Sequence, residues 1–311
     1  GELGFPGFVV SDWYGIDQLD PDPYRCVVRA LDAGIDMVMV PFDFERFIAD
    51  VVAAVEAGDV PPARVDDAVL RILTVKHVMG LFDGEGTGAP SPSGVGSPEH
   101  RAVAREAAAA SAVLLEHRQG TLPLAGDRVL VAGPGADDIG LQCGGWTIEW
   151  QGGTGPITPG TTILEGLRRN RPDISFLHEA GGEFDERAAA RTGIVVVAEA
   201  PYAEGIGDRA DLRLPAEQAA IIDRVRRRVD RLVLVVISGR PILLGEVADR
   251  CDAIVAAWLP GTEGDGVADV LTGRRPFTGR LPRPWPADTS QVEDPAAGGT
   301  PAWPRGHGRA L

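Results

Sequence analysis

The sequence predicts an α/β fold in two bodies, a short N-terminal piece of about two βα units over residues 1–82 and a larger domain over residues 99–311 built on a largely parallel sheet. Three observations predict it. Apolar runs of strand length alternate with segments of helical periodicity along nearly the whole chain. A stretch rich in Gly, Pro and Ser, residues 83–98, has no periodicity and reads as the linker between the bodies. The composition, 44% hydrophobic and 24% charged over 311 residues, is that of a globular protein with room for two cores.

In the first body Val9 and Val10 form a buried strand that ends on Ser11, Asp12 and Trp13. Tyr24 to Ala33 reads as a helix stopped by Gly34, and Ile35 to Val40 as a second buried strand stopped by Pro41. Helices follow over Phe44 to Ala57 and Pro62 to Met79, the latter with Val65, Ala68, Val69, Ile72 and Val75 at helical spacing. In the second body an Ala-rich helix over Glu99 to Leu115 opens the alternation. Strands are expected at Arg128 to Ala132, Ile174 to Leu177, Ile194 to Ala198, Leu232 to Ile237 and Ala253 to Trp258. Helices are expected at Thr162 to Arg168, Ala216 to Val229 and Asp265 to Leu271. Strands separated by helices imply parallel pairing with helices on both faces.

Composition also excludes functions. A formal charge of −15, with arginines dispersed among acids and Lys76 the sole lysine, does not fit a polyanionic partner such as nucleic acid. The apolar runs are far shorter than the roughly 20 residues of a membrane span. Cys26, Cys143 and Cys251 are too few and too widely spaced for a disulfide framework or a zinc cluster, and the five histidines show no i, i+4 pairing. No metal or other cofactor is expected. The compartment stays open between extracellular, periplasmic and cytoplasmic, because a chain that begins mid-fold carries no readable targeting segment.

Three segments carry chemistry. The first strand delivers Asp12 and Trp13 to its C-terminal end, where α/β folds place their reactive groups; the competing reading is that Asp12 caps the turn that follows. Cys143 to Gly153 holds Trp146 and Trp150 between glycines, which describes either a loop presenting indole faces to the apolar C–H faces of a sugar or two core tryptophans. The strand ending at Ala198 runs into a loop with two acids, Glu199 and Glu204. Either acid, desolvated beside aromatic groups, suits a general acid, and the alternative is two solvated loop acids. Gly133-Pro134-Gly135-Ala136 lacks the spacing of a phosphate loop, and no Gly-x-Ser-x-Gly elbow occurs.

Together these segments resemble glycoside hydrolase family 3, in its β-glucosidase and exo-1,3/1,4-β-glucanase branch. The resemblance rests on Gly7 to Trp13, Ala33 to Pro41, Arg64 to Leu73, Cys143 to Gly152, Pro201-Tyr202-Ala203-Glu204, Ala257 to Gly261 and Phe277 to Pro282. It implies that the first body is the C-terminal remnant of a (β/α)8 barrel and the second an α/β sandwich. It implies Asp12 as nucleophile and Glu204 as acid/base, with Glu199 the runner-up. Trp13 and Trp150 are implied to clamp the sugar beyond the cleaved bond, with Trp146 lining the same cleft. The implied reaction is retaining hydrolysis at the non-reducing end of β-glucosides or glucan oligosaccharides, with the two carboxyl groups about 5–5.5 Å apart.

Departures from the family pattern limit that expectation. A full barrel takes about 250 residues, so about six βα units are expected to be missing, and the isolated chain is expected to be nearly inactive and its first body sticky. The missing barrel half is then a partner. Glu116-His117 stands where the family has Lys-Asn, and Trp303-Pro304-Arg305-Gly306-His307-Gly308 where it has an aromatic-rich ending. The alternatives are a non-catalytic carbohydrate-binding module, or an inactive fragment of such an enzyme.

Overall fold

A computed structural model describes residues 4–84, 94–293 and 298–311. The chain divides into two compact units, Gly1–Pro92 and Ser93–Leu311. Residues 85–93 of the expected linker lie outside the described residues.

In the first unit, helix α1 (Pro23–Asp32) starts where the Asp22 side chain accepts the Tyr24 N–H and Pro23 occupies the first turn, two devices that satisfy or remove orphan donors. Its buried stripe is Cys26, Val27, Ala30 and Leu31. Helix α2 (Phe44–Ala57) ends at Gly58 in the left-handed conformation, φ 81°, and helix α3 (Pro62–Val78) again opens on proline. Ile16, Val27, Ala30, Leu31, Ala54 and Val60 form the small core. Arg64 ties it to the strand segments. Its guanidinium donates to the Leu31 carbonyl at 2.7 Å, the Ile35 carbonyl at 2.8 Å and Asp36 Oδ1 at 2.9 Å, while Asp36 Oδ2 accepts the Val9 N–H at 2.8 Å.

Both buried strands expected in this unit are corrected, the first because Val9 is 43% and Val10 44% exposed. Instead of a buried strand over Ile35 to Val40, a single parallel bridge joins Val10 and Met37, and Val10, Met37 and Met39 are more than 40% exposed. The apolar pattern of a fully buried strand is there, but burial needs neighbours on both edges and a layer on each face, and these described residues supply one neighbour. Phe42, Ile48, Val52, Leu70 and Leu73 are exposed as well.

The second unit begins with helix α4 (Pro98–Ser111), capped by Ser97. The helix expected to run to Leu115 stops at Ser111, and Val113–His117 forms strand β1. The sheet continues with β2 (Arg128–Ala132), β3 (Ser175–His178), β4 (Thr192–Ala198), β5 (Arg231–Ile237) and β6 (Ala253–Trp258). Its order is β1-β6-β5-β4-β2-β3, all parallel except β1, which pairs antiparallel with β6. Along β4, Ile194 and Val196 face one core and Val195 and Val197 the other, the period-two alternation of a sheet covered on both sides. Helices α5 (Ile139–Cys143) and α6 (Ile163–Asn170) follow β2, α7 (Ala216–Arg226) follows β4, and α8 (Gly264–Leu271) follows β6. Helices α4, α6 and α8 pack together, and α7 packs on β4 and β5. Among the described residues no helix is long and apolar enough to cross a membrane.

Glu116 and the segment from Trp303 to Arg309 meet in space. Trp303 Nε1 donates to Glu116 Oε1 at 2.9 Å, Arg309 pairs with Glu116 Oε2 at 2.9 Å, and His307 Nε2 lies 2.8 Å from the Leu115 carbonyl. The C-terminal segment is stitched to β1 through them.

Candidate active site

The strand order fixes where a site can form in the second unit. From β2 the chain moves outward to β3 and then returns past β2 to β4, so neighbouring strands β2 and β4 send their following connections to opposite sides. The C-terminal ends of such a pair open a crevice at a topological switch point. The connection after β2 carries Trp146 and Trp150, and the loop after β4 carries Glu199 and Glu204.

Trp146 and Trp150 are 69% and 54% exposed, with ring centroids 6.3 Å apart at 58°, which removes the reading of them as core residues. Their loop is closed by the Trp146 N–H on the Trp150 carbonyl at 2.9 Å. Trp146 and Ile148 hold φ of 61° and 62°, a region that bulky and β-branched residues seldom occupy. Backbone strain of this kind persists only where the surroundings over-determine it. Here they do. At the stem, Asp138 accepts the Leu141 and Gly155 N–H groups at 2.8 and 2.9 Å. The fully buried Gln142 side chain donates to the Thr161 and Gly261 carbonyls and accepts from Ile163.

The loop after β4 is locked onto the tryptophan loop. The Ala203 N–H donates to Gln151 Oε1 at 3.0 Å. A Cβ on Gly145 would stand 2.0 Å from the Tyr202 carbonyl oxygen, and one on Gly207 would stand 2.1 Å from the Tyr202 ring, so both positions admit only glycine. Burial, and then the nearby Glu199 carboxylate, push the Tyr202 phenol above its usual value. Glu204 stands exposed at the tip, and the burial expected around a proton donor is not supplied by its own unit. Glu199 is different. Its Oε1 accepts from Arg209 at 2.8 Å and from Arg240 at 3.0 and 3.1 Å, with 9% of the side chain exposed.

In the first unit Asp12 and Trp13 are exposed, Trp13 by 60%. Asp12 Oδ1 accepts the Trp13 N–H at 2.7 Å, and among the described residues Oδ2 accepts no hydrogen bond. The capping alternative is not seen. The 3-10 turn Gly15–Gln18 has Tyr14 as its N-cap and no side-chain cap. The buried Ser11 sets the strand end instead, donating to the Asp12 carbonyl at 2.9 Å and accepting the Met39 N–H at 2.8 Å. Tyr14, at φ 52°, turns the chain just after Trp13.

Sequence reasoning missed Asp138, Gln142, Arg209 and Arg240. Gly239-Arg240-Pro241 directly after an apolar strand was a usable signal, because a polar residue fixed at a strand's C-terminal end tends to line the same edge of the sheet. Asp138 is a local N-cap, accepting the Leu141 N–H, whose second bond to Gly155 the local pattern does not reveal, and Gln142 acts through partners far along the chain.

Fold and loops together define a class of protein. The chain belongs to glycosyl hydrolase family 3: the family's C-terminal domain matches residues 112–310 and its N-terminal domain residues 1–75. Among relatives, the lysosomal β-glucosidase of Dictyostelium discoideum is 34% identical over 95% of this chain and 40% of its own length. The exo-1,3/1,4-β-glucanase of a Pseudoalteromonas species is 36% identical, with a TM-score of 0.90 over 100% of this chain and 41% of that one. A β-glucosidase from Listeria innocua, solved in complex with glucose, is 25% identical with a TM-score of 0.84 over 100% of this chain and 48% of that one. The chain spans less than half the length of the curated relatives it matches.

Proposed function

We propose that this chain supplies both reacting carboxyl groups of a retaining glycoside hydrolase that removes sugars from the non-reducing end of β-glucosides or β-glucans. The first unit, in this reading, is the last part of a (β/α)8 barrel whose other βα units complete the pocket. The observation that supports the proposal is the second unit's loop pair at the switch point: Ala203, the residue before Glu204, bonds to Gln151, the residue after the exposed Trp150, and Glu204 has no ion-pair partner among the described residues. Relatives named β-glucosidase and exo-glucanase support the substrate class.

The roles follow from the chemistry of the groups. Asp12, with one oxygen oriented by the Trp13 N–H and the other uncommitted among the described residues, attacks the anomeric carbon. Glu204 donates its proton to the leaving oxygen. Water then displaces Asp12 with Glu204 as base, so the anomeric configuration is retained. This requires the two carboxyl groups to come within about 5–5.5 Å. Trp13 and Trp150 hold the sugar beyond the cleaved bond against their ring faces, with Trp146 beside them. Glu199 is the weaker candidate for the acid because its oxygens are already engaged by two guanidinium groups.

A second reading, a sugar-binding module without hydrolysis, is favoured by the exposure of Trp146 and Trp150 within one unit. The two readings separate in one assay. On an aryl β-glucoside the 311-residue chain is expected to be nearly inactive and a version completed with the preceding barrel units active, releasing the β-anomer first by proton NMR. No turnover from the completed enzyme, with cello- or laminari-oligosaccharides still quenching tryptophan fluorescence, favours the binding module.

A further inference from the structure

The loop after β4 has a neck and a tip, and the neck is ionic. Glu199 opens the loop and Arg209 closes it, and the two side chains meet at 2.8 Å. Arg240, from the loop after β5, adds two hydrogen bonds to the same Glu199 oxygen and lays its guanidinium over the Tyr202 ring, 4.5 Å from the centroid. The Tyr202 hydroxyl reaches the other Glu199 oxygen at 3.5 Å. The Glu199 N–H is itself fixed on the Ile237 carbonyl at 3.0 Å. The cluster's own Glu199, Tyr202, Arg209 and Arg240 line, with apolar residues such as Leu214 and Ile242, a cavity of about 290 Å³. The loop is thus held by its ion pairs and its contacts with the tryptophan loop rather than by a packed floor.

From this geometry we infer that Glu199, Arg209 and Arg240 form an ionic latch that sets where the Glu204 carboxyl sits, making Glu199 a positioning residue of the acid/base loop. A planar guanidinium that both pairs with the carboxylate and stacks on an aromatic ring fixes direction as well as distance. The bond from Ala203 to Gln151 carries that placement to the tryptophan loop, one residue before Glu204. The inference rests on Glu204 being the proton donor, and its test has one arm that does not.

In the 311-residue chain, Glu199→Gln and Arg240→Lys are expected to speed amide hydrogen exchange in residues 200–209 by about 10- to 100-fold, the effect of losing charge-assisted bonds, while exchange in β4 and β5 stays as in the parent. Parent-like exchange across 200–209 in both variants overturns the latch. In the barrel-completed enzyme, Glu199→Gln is expected to lower kcat more than it raises KM, most for poor leaving groups, and azide is expected to give no acceleration. Glu204→Gln is expected to be accelerated by azide, which enters where the base is lost. Azide rescue of Glu199→Gln instead makes Glu199 the acid/base and overturns the positioning role. Full turnover of Glu204→Gln with loosened exchange in Glu199→Gln leaves the latch standing and removes the acid assignment.

Discussion

Replacing Asp12 by alanine in the barrel-completed enzyme is expected to lower kcat on an aryl β-glucoside by about 10³-fold or more, because losing the covalent route raises the barrier by about 4 kcal/mol. The Glu204→Ala change is expected to behave differently. Proton donation is worth about 10²- to 10⁴-fold, so the loss should be near the upper figure for an alkyl leaving group. It should nearly vanish for a dinitrophenyl glucoside, whose leaving oxygen needs no proton. Trp150→Ala, by contrast, should raise KM for oligosaccharides with little change for small aryl glucosides. A leaving-group series measured on both acid variants checks the assignment. Equal losses across the series for Glu204→Ala count against it as the donor.

The second large effect concerns stability. Asp269 of α8 is 3% exposed and accepts Arg105 Nε at 2.6 Å and Asn170 Nδ2 at 2.9 Å. Arg101, one helical turn from Arg105 on α4, pairs with Glu263 at 3.0 Å, so one face of α4 is tied to the α8 region by charge. Removing Asp269 leaves the buried Asn170 amide without its acceptor and a partly solvated Arg105, 27% exposed, without its main partner, a loss of about 1–3 kcal/mol. Asp269→Ala should therefore lower the Tm of the second unit by roughly 2–12 °C.

The same network sets the response to acid. Burial, the largest single influence, pushes the Asp269 carboxyl up, but Arg105 and Asn170 together with the Arg105 and Arg274 charges outweigh it and hold the group below its usual range. Asp252 is also held below its usual range. Burial again opposes, and the Leu232 N–H, Arg226 and Arg118 outweigh it. A carboxyl lowered in the folded state contributes stability that is complete above the unfolded value of about 3.9 and is lost as pH falls through the folded value. Unfolding monitored by circular dichroism from pH 7 to pH 3 should show a steep loss below about pH 4 in the parent. Asp269→Asn should be less stable at neutral pH and show a shallower slope. An unchanged slope contradicts the assignment.

Legibility in the sequence followed the range of the interactions. Strands β2, β4, β5 and β6 are both-face apolar runs bounded by turn residues, a local pattern, and the expected spans lie within two residues of the observed ones. Strand β1 escaped because Ala107 to Ala112 passes into Val113, Leu114 and Leu115 without a Gly or Pro, and only pairing with β6 turns that run into an edge strand. The first unit's strand segments carry a pattern meant for burial, yet their exposure depends on neighbours that the pattern cannot reveal. Trp146 and Trp150 were visible because glycine-bracketed aromatics are a compact signal, whereas Glu199 and Glu204 were equally visible as acids following β4 and only the family resemblance favoured Glu204. Glu199 read as a competing acid because its defining partner, Arg240, lies 41 residues away.

The most direct measurement of the two-carboxyl account is covalent trapping. The barrel-completed enzyme is incubated with a 2-deoxy-2-fluoro-β-glucoside bearing an activated leaving group, which slows release of the glycosyl-enzyme, and peptides are mapped by mass spectrometry. The expected result is a single fluoroglucosyl adduct on the peptide containing Asp12, absent from Asp12→Ala. An adduct on another acid, or turnover with inverted configuration and no adduct, contradicts the account.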